Sequence, residues 1–161
     1  MHTYPSKDNM AIVYSVNINP LGGVPKLPVN NVDIRIRGVK GDKQNDLRYH
    51  GGPQRAVCLF SLELIQQLQK EGHPISPGST GENITIKGID WELLKSGMKI
   101  DFGQSIIRLT DTAAPCKTII GSFSKGKFER ILEKKNPGWS RWYASVIKEG
   151  VVNPGDQVVI K

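Results

Sequence analysis

No apolar run in this chain goes far before glycine or proline interrupts it, and that punctuation limits the fold more than any other feature. Residues 19–28, NPLGGVPKLP, carry two glycines and three prolines. Such a stretch suits neither a helix nor a central strand and reads as a shaped loop. Residues 38–54 and 74–82 are two more Gly-rich polar stretches. Between the loops stand short β-type runs at 10–17, 56–60, 83–87, 141–148 and 157–160. Residues 29–37 alternate, with Val32, Ile34 and Ile36 on one face and Asp33, Arg35 and Arg37 on the other, as a half-exposed strand does. The runs at 98–102 and 105–112 share a tight Gly103-Gln104 link and read as a hairpin.

Helical signals are fewer. Ser61 stands where a cap belongs, Leu62, Ile65 and Leu68 share a face, and Gly72 and Pro74 stop the segment. Asp90 is placed to cap one turn of WELLKSG, and a basic helix is expected over 128–135 before Pro137-Gly138 breaks it. The pattern predicts a mainly β fold: a closed or nearly closed β-barrel with a few decorating helices, as a single domain over 1–161. A domain of 161 residues removes about two-thirds of its unfolded surface from water, so it needs no disulfide or zinc to fold.

The charge balance, 22 basic residues against 15 acidic, suggests an anionic partner such as nucleic acid, a phosphate-bearing cofactor or an acidic surface. No RNP-type aromatic signature or helix-turn-helix pattern supports nucleic acid. No apolar run approaches the roughly 18 to 20 residues that span a bilayer. The first ten residues, MHTYPSKDNM, have no apolar signal core. A cytoplasmic protein without membrane contact is expected.

Two cysteines are present, without a CxxC pattern, and His2, His50 and His73 lack metal-ligand spacing. Cys58 lies within AVCLF, where a free thiol acts as a small buried hydrophobe. Cys116 lies at a strand end, after Pro115 and before Lys117, where a helical turn opens. A helix start and a neighbouring ammonium both favour thiolate, the form that attacks electrophiles and binds soft metals. Simple packing is the alternative for Cys116. His50, beside Gly51-Gly52 and near Asp46, reads either as a partner of the thiol or as a loop histidine bonded to backbone. The glycine clusters at 22–23, 51–52 and 78–81 let backbone N–H groups approach an anion, and Lys26, Arg48 and Arg55 are nearby cations. None of these clusters matches a P-loop or a dinucleotide fingerprint.

Taken in order, SVNINPLGGVPK, GVKGDKQNDLRYHGGPQRAVCLFS, PGSTGENITIKGIDWELLKSGMKIDFG, PCKTI, PGWSRWYASVIKEG and VNPGDQVVI resemble a MOSC domain, the module named from the C-terminus of molybdenum cofactor sulfurases. The resemblance covers almost the whole chain and is closest to small stand-alone bacterial members. It implies a β-barrel whose pocket receives the molybdenum cofactor, molybdopterin. It implies that Cys116, in the PC element, ligates molybdenum or carries sulfur. It places Gly81, Glu82 and Asn83 in the family's GEN element, with Asn83 lining the pterin pocket. Gly41-Asp42 and His50-Gly51-Gly52 match the GD and HGG elements, which puts His50 at the pocket mouth. Arg55 is implied as a phosphate partner. The chain departs from amidoxime-reducing relatives in two places: Asn19-Pro20-Leu21 stands where they carry a lysine, with Lys26 only later, and Pro115 stands where they carry a basic residue.

The expected activity is reduction of N-hydroxylated compounds, such as hydroxylamino bases and amidoximes, with Cys116 on the metal. Without an iron–sulfur cysteine pattern or a flavin fingerprint, electrons are expected from a separate electron-transfer protein. The alternative is a sulfur carrier holding a persulfide on Cys116, and a third reading is a basic barrel that binds nucleic acid without chemistry. Pyridoxal phosphate is not supported, since no lysine has a recognisable Schiff-base context.

Overall fold

The computed structural model describes residues 10–43 and 52–161. Among the described residues the chain forms eleven strands and one α-helix, joined by short 3-10 turns. In chain order they are β1 (Ile12–Ile18), β2 (Leu27–Val29), β3 (Val32–Arg35), β4 (Gly38–Val39), β5 (Val57–Ser61), α1 (Leu62–Lys70), β6 (Ile84–Lys87), β7 (Lys99–Asp101), β8 (Ile106–Ala113), β9 (Arg141–Lys148), β10 (Gly150–Val152) and β11 (Val159–Ile160). Eight of them make one sheet in the order β11-β7-β8-β9-β5-β6-β1-β2, and β10-β3-β4 make a second. No helix among the described residues is long and apolar enough to cross a membrane.

The large sheet is antiparallel except where β5 and β6 run side by side in parallel. A parallel pair needs a crossover, and α1 supplies it. Ser61 caps α1 by accepting the N–H of Leu64 at 3.2 Å. Leu62, Ile65 and Leu68 are buried beneath the helix. Every residue of β5 is buried, as expected of a strand covered on both faces. Leu59, Phe60, Ile84, Ile86, Ile100, Ile107 and Leu109 are fully enclosed and, with the α1 face, form the main core.

The ladder does not close into a barrel: β2 and β11 are its ends. Pro28 within β2 has no N–H to offer a further strand, and β11 is only two residues long. The first and last parts of the sheet nonetheless touch. Ile12 bridges Gln157, Val13 N donates to Asp156 O at 2.9 Å, and Val158 N donates to Ala11 O at 2.9 Å.

Two other expectations need correction. The alternating run over 29–37 is divided between sheets, since β2 pairs with β1 while β3 pairs with β10. The basic helix over 128–135 is one 3-10 turn, Phe128–Ile131, because Leu132 turns extended (φ −82°, ψ 124°). Within that turn Arg130 holds Glu71 through Nε at 2.9 Å and Nη2 at 3.0 Å and lies 3.9 Å from the Trp139 ring centroid. These contacts fix a tight turn where propensity alone favours a longer helix.

Candidate functional site

β8 ends at Ala113, and two residues later the chain reaches Cys116 in extended conformation (φ −143°, ψ 179°). A 3-10 turn, Lys117–Ser122, begins immediately after it, and Ile119 N donates back to Cys116 O at 3.1 Å. Cys116 Sγ lies 3.2 Å from Thr118 Oγ1, and the thiol is half-buried. It borders a cavity of about 650 Å³. The wall is built from the ends of β5, β8 and β9, the loop before β2 and the approach to β6.

Of the residues singled out from sequence, Cys116, Lys26, Arg55 and Gly81 meet on this wall. Gly81 has φ +89°, a left-handed conformation that costs glycine little, and a Cβ there would sit 3.2 Å from Val24 Cγ1. Gly52, with φ +80°, starts the 53–55 turn and is not part of the wall. His50 and Gly51 lie outside the described residues, as do Asp46 and Arg48.

Glu82 and Asn83 are completely buried and stand behind the wall rather than on it. The pocket-lining place expected for Asn83 is therefore corrected. Its Oδ1 accepts Cys58 N–H at 3.0 Å, while Nδ2 donates to Asn17 O at 3.3 Å and to Asp42 Oδ2 at 2.9 Å. Glu82 accepts from the hydroxyls of Thr80 at 3.0 Å and Thr85 at 3.2 Å. Burial raises its carboxyl above its usual value, against hydrogen bonds from the backbone at Gly78 and Glu82 and from the Thr80 hydroxyl, and against the Arg141 charge. Both residues fix the backbone that carries the wall, and so does Gly78. A Cβ on Gly78 would fall 2.0 Å from Lys26 O, so glycine is what lets the two backbones meet there.

Lys26 is an occupied cation. Its ammonium is paired with Asp42, both side chains are nearly enclosed, and Asp42 also accepts Asn19 N–H at 2.8 Å. The glycine–aspartate element seen in sequence thus neutralises Lys26 within the wall.

Cys58, Tyr143, Lys43 and Arg141 also stand on the wall, in places the sequence reading did not give them. Cys58 was read only as a packed thiol. It is buried, with its thiol pushed up to about 11 chiefly by desolvation, yet it reaches the cavity beside Tyr143. Burial likewise pushes the Tyr143 phenol up to about 12, and the Arg55 guanidinium lies 5.3 Å from its ring. Lys43 adds an exposed cation. Arg141 begins β9 and is buried, which no alternation pattern reveals because the strand is buried on both faces through Ala144. The only sequence hint was a lone arginine opening an apolar run.

The arrangement offers one accessible sulfur nucleophile or soft donor, a second thiol held protonated, and a cationic wall. The MOSC domain pattern matches residues 46–159. YflK of Bacillus subtilis (strain 168), an uncharacterized protein, is 30% identical over 135 residues, 83% of this chain and 60% of that one. YiiM of Escherichia coli (strain K12) is 25% identical over 120 residues, 72% of this chain and 53% of that one. The chain thus spans between half and about three-fifths of these relatives. The crystal structure of YiiM from Geobacillus stearothermophilus superposes with a TM-score of 0.68 at 22% identity, over 94% of this chain and 75% of that one, which shows a shared fold. With the family pattern matched over most of its length, this chain belongs to the MOSC domain family.

Proposed function

We propose that this chain binds a molybdenum cofactor in the cavity beside Cys116 and reduces N-hydroxylated compounds there. The observation that carries the reading is the half-buried Cys116 thiol on the wall of a cavity that also presents Arg55 and Arg141. The residues suit such a group: a thiolate is a soft donor for molybdenum, and the buried Arg141 Nε has no hydrogen-bond partner among the described residues. Among the described residues no three His, Cys, Asp or Glu side chains converge on a metal site. Cys116 would then be the protein's ligand to a metal whose other donors arrive with the pterin.

When bound, the cofactor supplies the two-electron chemistry that the protein's own side chains lack. The net change is R–NHOH to R–NH2: the N–O bond breaks, two electrons and two protons enter, and water leaves. The chain holds the metal through Sγ of Cys116, sets the cationic wall, and shields one side of the pocket with Cys58 and Tyr143. Electrons come from a separate carrier protein.

Purified protein from cells that make the cofactor should contain about one molybdenum per chain, lost in Cys116→Ala. Absence of molybdenum from the wild-type protein defeats the reading.

A second reading, a persulfide carrier, is favoured by one feature: Cys116 Sγ is half-exposed and has the Thr118 hydroxyl at 3.2 Å as a neighbour. Intact mass after sulfurase treatment should then rise by roughly 32 Da, reversibly on reduction. An unchanged mass rejects it.

A further inference from the structure

Residues 117–135 hold six of the chain's 22 basic residues and two of its 15 acidic ones, so much of the positive surplus lies in one short segment. Two of the six cations are taken up: Arg130 is held by Glu71 and Lys135 by Glu129. Glu133, the other acid, accepts the Gly138 N–H at 3.2 Å. Lys117, Lys125, Lys127 and Lys134 are exposed and make no ion pair among the described residues. The segment folds into the 3-10 turns Lys117–Ser122, Ser124–Gly126 and Phe128–Ile131, the first of which packs on the other two. Together with the end of α1 they border a groove of about 640 Å³, lined by Lys125, Lys127, Phe128, Arg130, Glu71 and His73.

Local contacts fix the shape of this surface. Lys125 has a left-handed backbone (φ 55°, ψ 24°), a conformation that costs a residue with a side chain. It is held there by Ser124 N–H, which donates to His73 Nδ1 at 3.0 Å, and by Gly126 N–H, which donates to Phe123 O at 3.1 Å. The first turn begins one residue after Cys116, and in it Lys117 and Ile120, three apart, share a face. Ile120 is 49% exposed and lies over Gly126, where a Cβ would meet its Cδ1 at 3.0 Å. An aliphatic side chain among unpaired cations has the make-up of a protein-docking patch, an apolar centre with a charged rim. Nucleic acid fits less well, because bases stack on open aromatic faces. Here Phe123 is buried, and Trp139 is covered by the Arg130 guanidinium 3.9 Å from its ring centroid.

We propose that this surface, with Ile120 at its centre and Lys117, Lys125 and Lys127 around it, docks an acidic electron-carrier protein. That the partner carries electrons rests on the reading above; the docking of an acidic protein surface does not. Each N–O bond broken draws two electrons from the reduced carrier, which leaves oxidised, and two protons from solvent, giving amine and water. A carrier docked here sits on the segment that starts at Cys116, and complementary charge speeds its encounter.

The experiment is calorimetric titration of the full chain with flavodoxin, a small acidic flavin protein, as the probe. Saturable binding is expected, weakened at least about tenfold between about 0.02 and about 0.2 M salt. Lys125→Glu with Lys127→Glu should weaken it by at least about tenfold, and Ile120→Ala by about threefold. Lys87→Glu with Lys99→Glu makes the same change in net charge on β6 and β7, and should alter binding by less than about twofold. Cys116→Ala should bind flavodoxin as the wild type does, which separates docking from the metal reading. In cofactor-loaded protein, reduced flavodoxin should reduce the Lys125→Glu, Lys127→Glu variant about tenfold more slowly than the wild type, while dithionite, which needs no docking, reduces both alike. The proposal is overturned if the wild type does not bind, if the two double variants bind alike, or if single-stranded RNA binds more tightly than flavodoxin. Docking by protein that takes up no molybdenum supports the surface and defeats only the metal reading.

Discussion

Asn83 donates from Nδ2 to Oδ2 of Asp42 across 2.9 Å, and that same carboxylate holds Lys26. One buried amide therefore connects β5, through Cys58 N–H, with the segment after β4 whose Asp42 neutralises the lysine. Asn83→Ala removes both ends of this link and leaves a buried N–H and a buried carboxylate oxygen short of partners. A loss of about 2–4 kcal/mol is expected in urea unfolding at unchanged m. A change below about 0.5 kcal/mol would show that water replaces the amide.

Lys26 and Asp42 stabilise the wall only as a pair. Their side chains are 5% and 3% exposed, so Lys26→Met strands a charge in the interior. A cost of about 3–5 kcal/mol follows. Adding Asp42→Asn removes the stranded charge, and the double variant should recover at least part of that loss. A double variant less stable than Lys26→Met would contradict the pairing.

Glu82 gives a signed pH dependence. Its carboxyl is raised on folding above the ordinary 4.5, so the folded chain holds the proton more tightly than the unfolded one. Its contribution to stability is full below 4.5 and is lost as pH rises through the higher folded value. Glu82→Gln does not titrate, so the fall in stability with rising pH across that window should flatten. Parallel melting curves for the two proteins from acid to neutral pH would contradict this.

The two thiols should separate cleanly in alkylation. Cys116 is half-exposed, whereas Cys58 is buried with its thiol raised to about 11. Iodoacetamide at neutral pH should label native protein at Cys116 alone, and native Cys116→Ala should stay unlabelled until denatured. Peptide mass spectrometry reads the sites directly, and early labelling of Cys58 would disprove its enclosure.

Gly78→Ala tests the backbone contact behind the wall. The left-handed φ of +83° combines with a Cβ 2.0 Å from Lys26 O, so strain and overlap add. The expected cost is about 3–5 kcal/mol. Gly97→Ala, with φ +92° and open space around it, should cost only about 1–2 kcal/mol. Equal losses in chemical denaturation would refute the close approach.

Local signals carried much of the architecture. The Ser61 cap, the buried stripe of α1, the Gly103-Gln104 hairpin and the Arg141–Lys148 strand all follow from short-range chemistry that a single sequence displays. What failed depended on distant partners. Whether 29–37 is one strand or two is decided by β1 and β10, and the length of the 128–135 turn by Glu71 and Trp139. The candidate site divides similarly. Cys116 stands out by its proline and its strand end, and ordered motifs placed Lys26, Arg55 and Gly81 near it. Arg141 did not stand out, because a buried arginine in a strand is marked by what surrounds it in space.

The contact between Ile12 and Gln157 orders events in time. β1 precedes every other described strand in the chain, but the backbone groups of Ala11 and Val13 find these partners only at residues 155–158. Until those residues emerge, β1 presents open main-chain donors and acceptors beside exposed apolar side chains, the kind of surface that mispairs with other chains. Among the described strands, β1 is thus made ahead of the others and completed by the segment that leads into β11, so its unpaired edge persists until that segment is available.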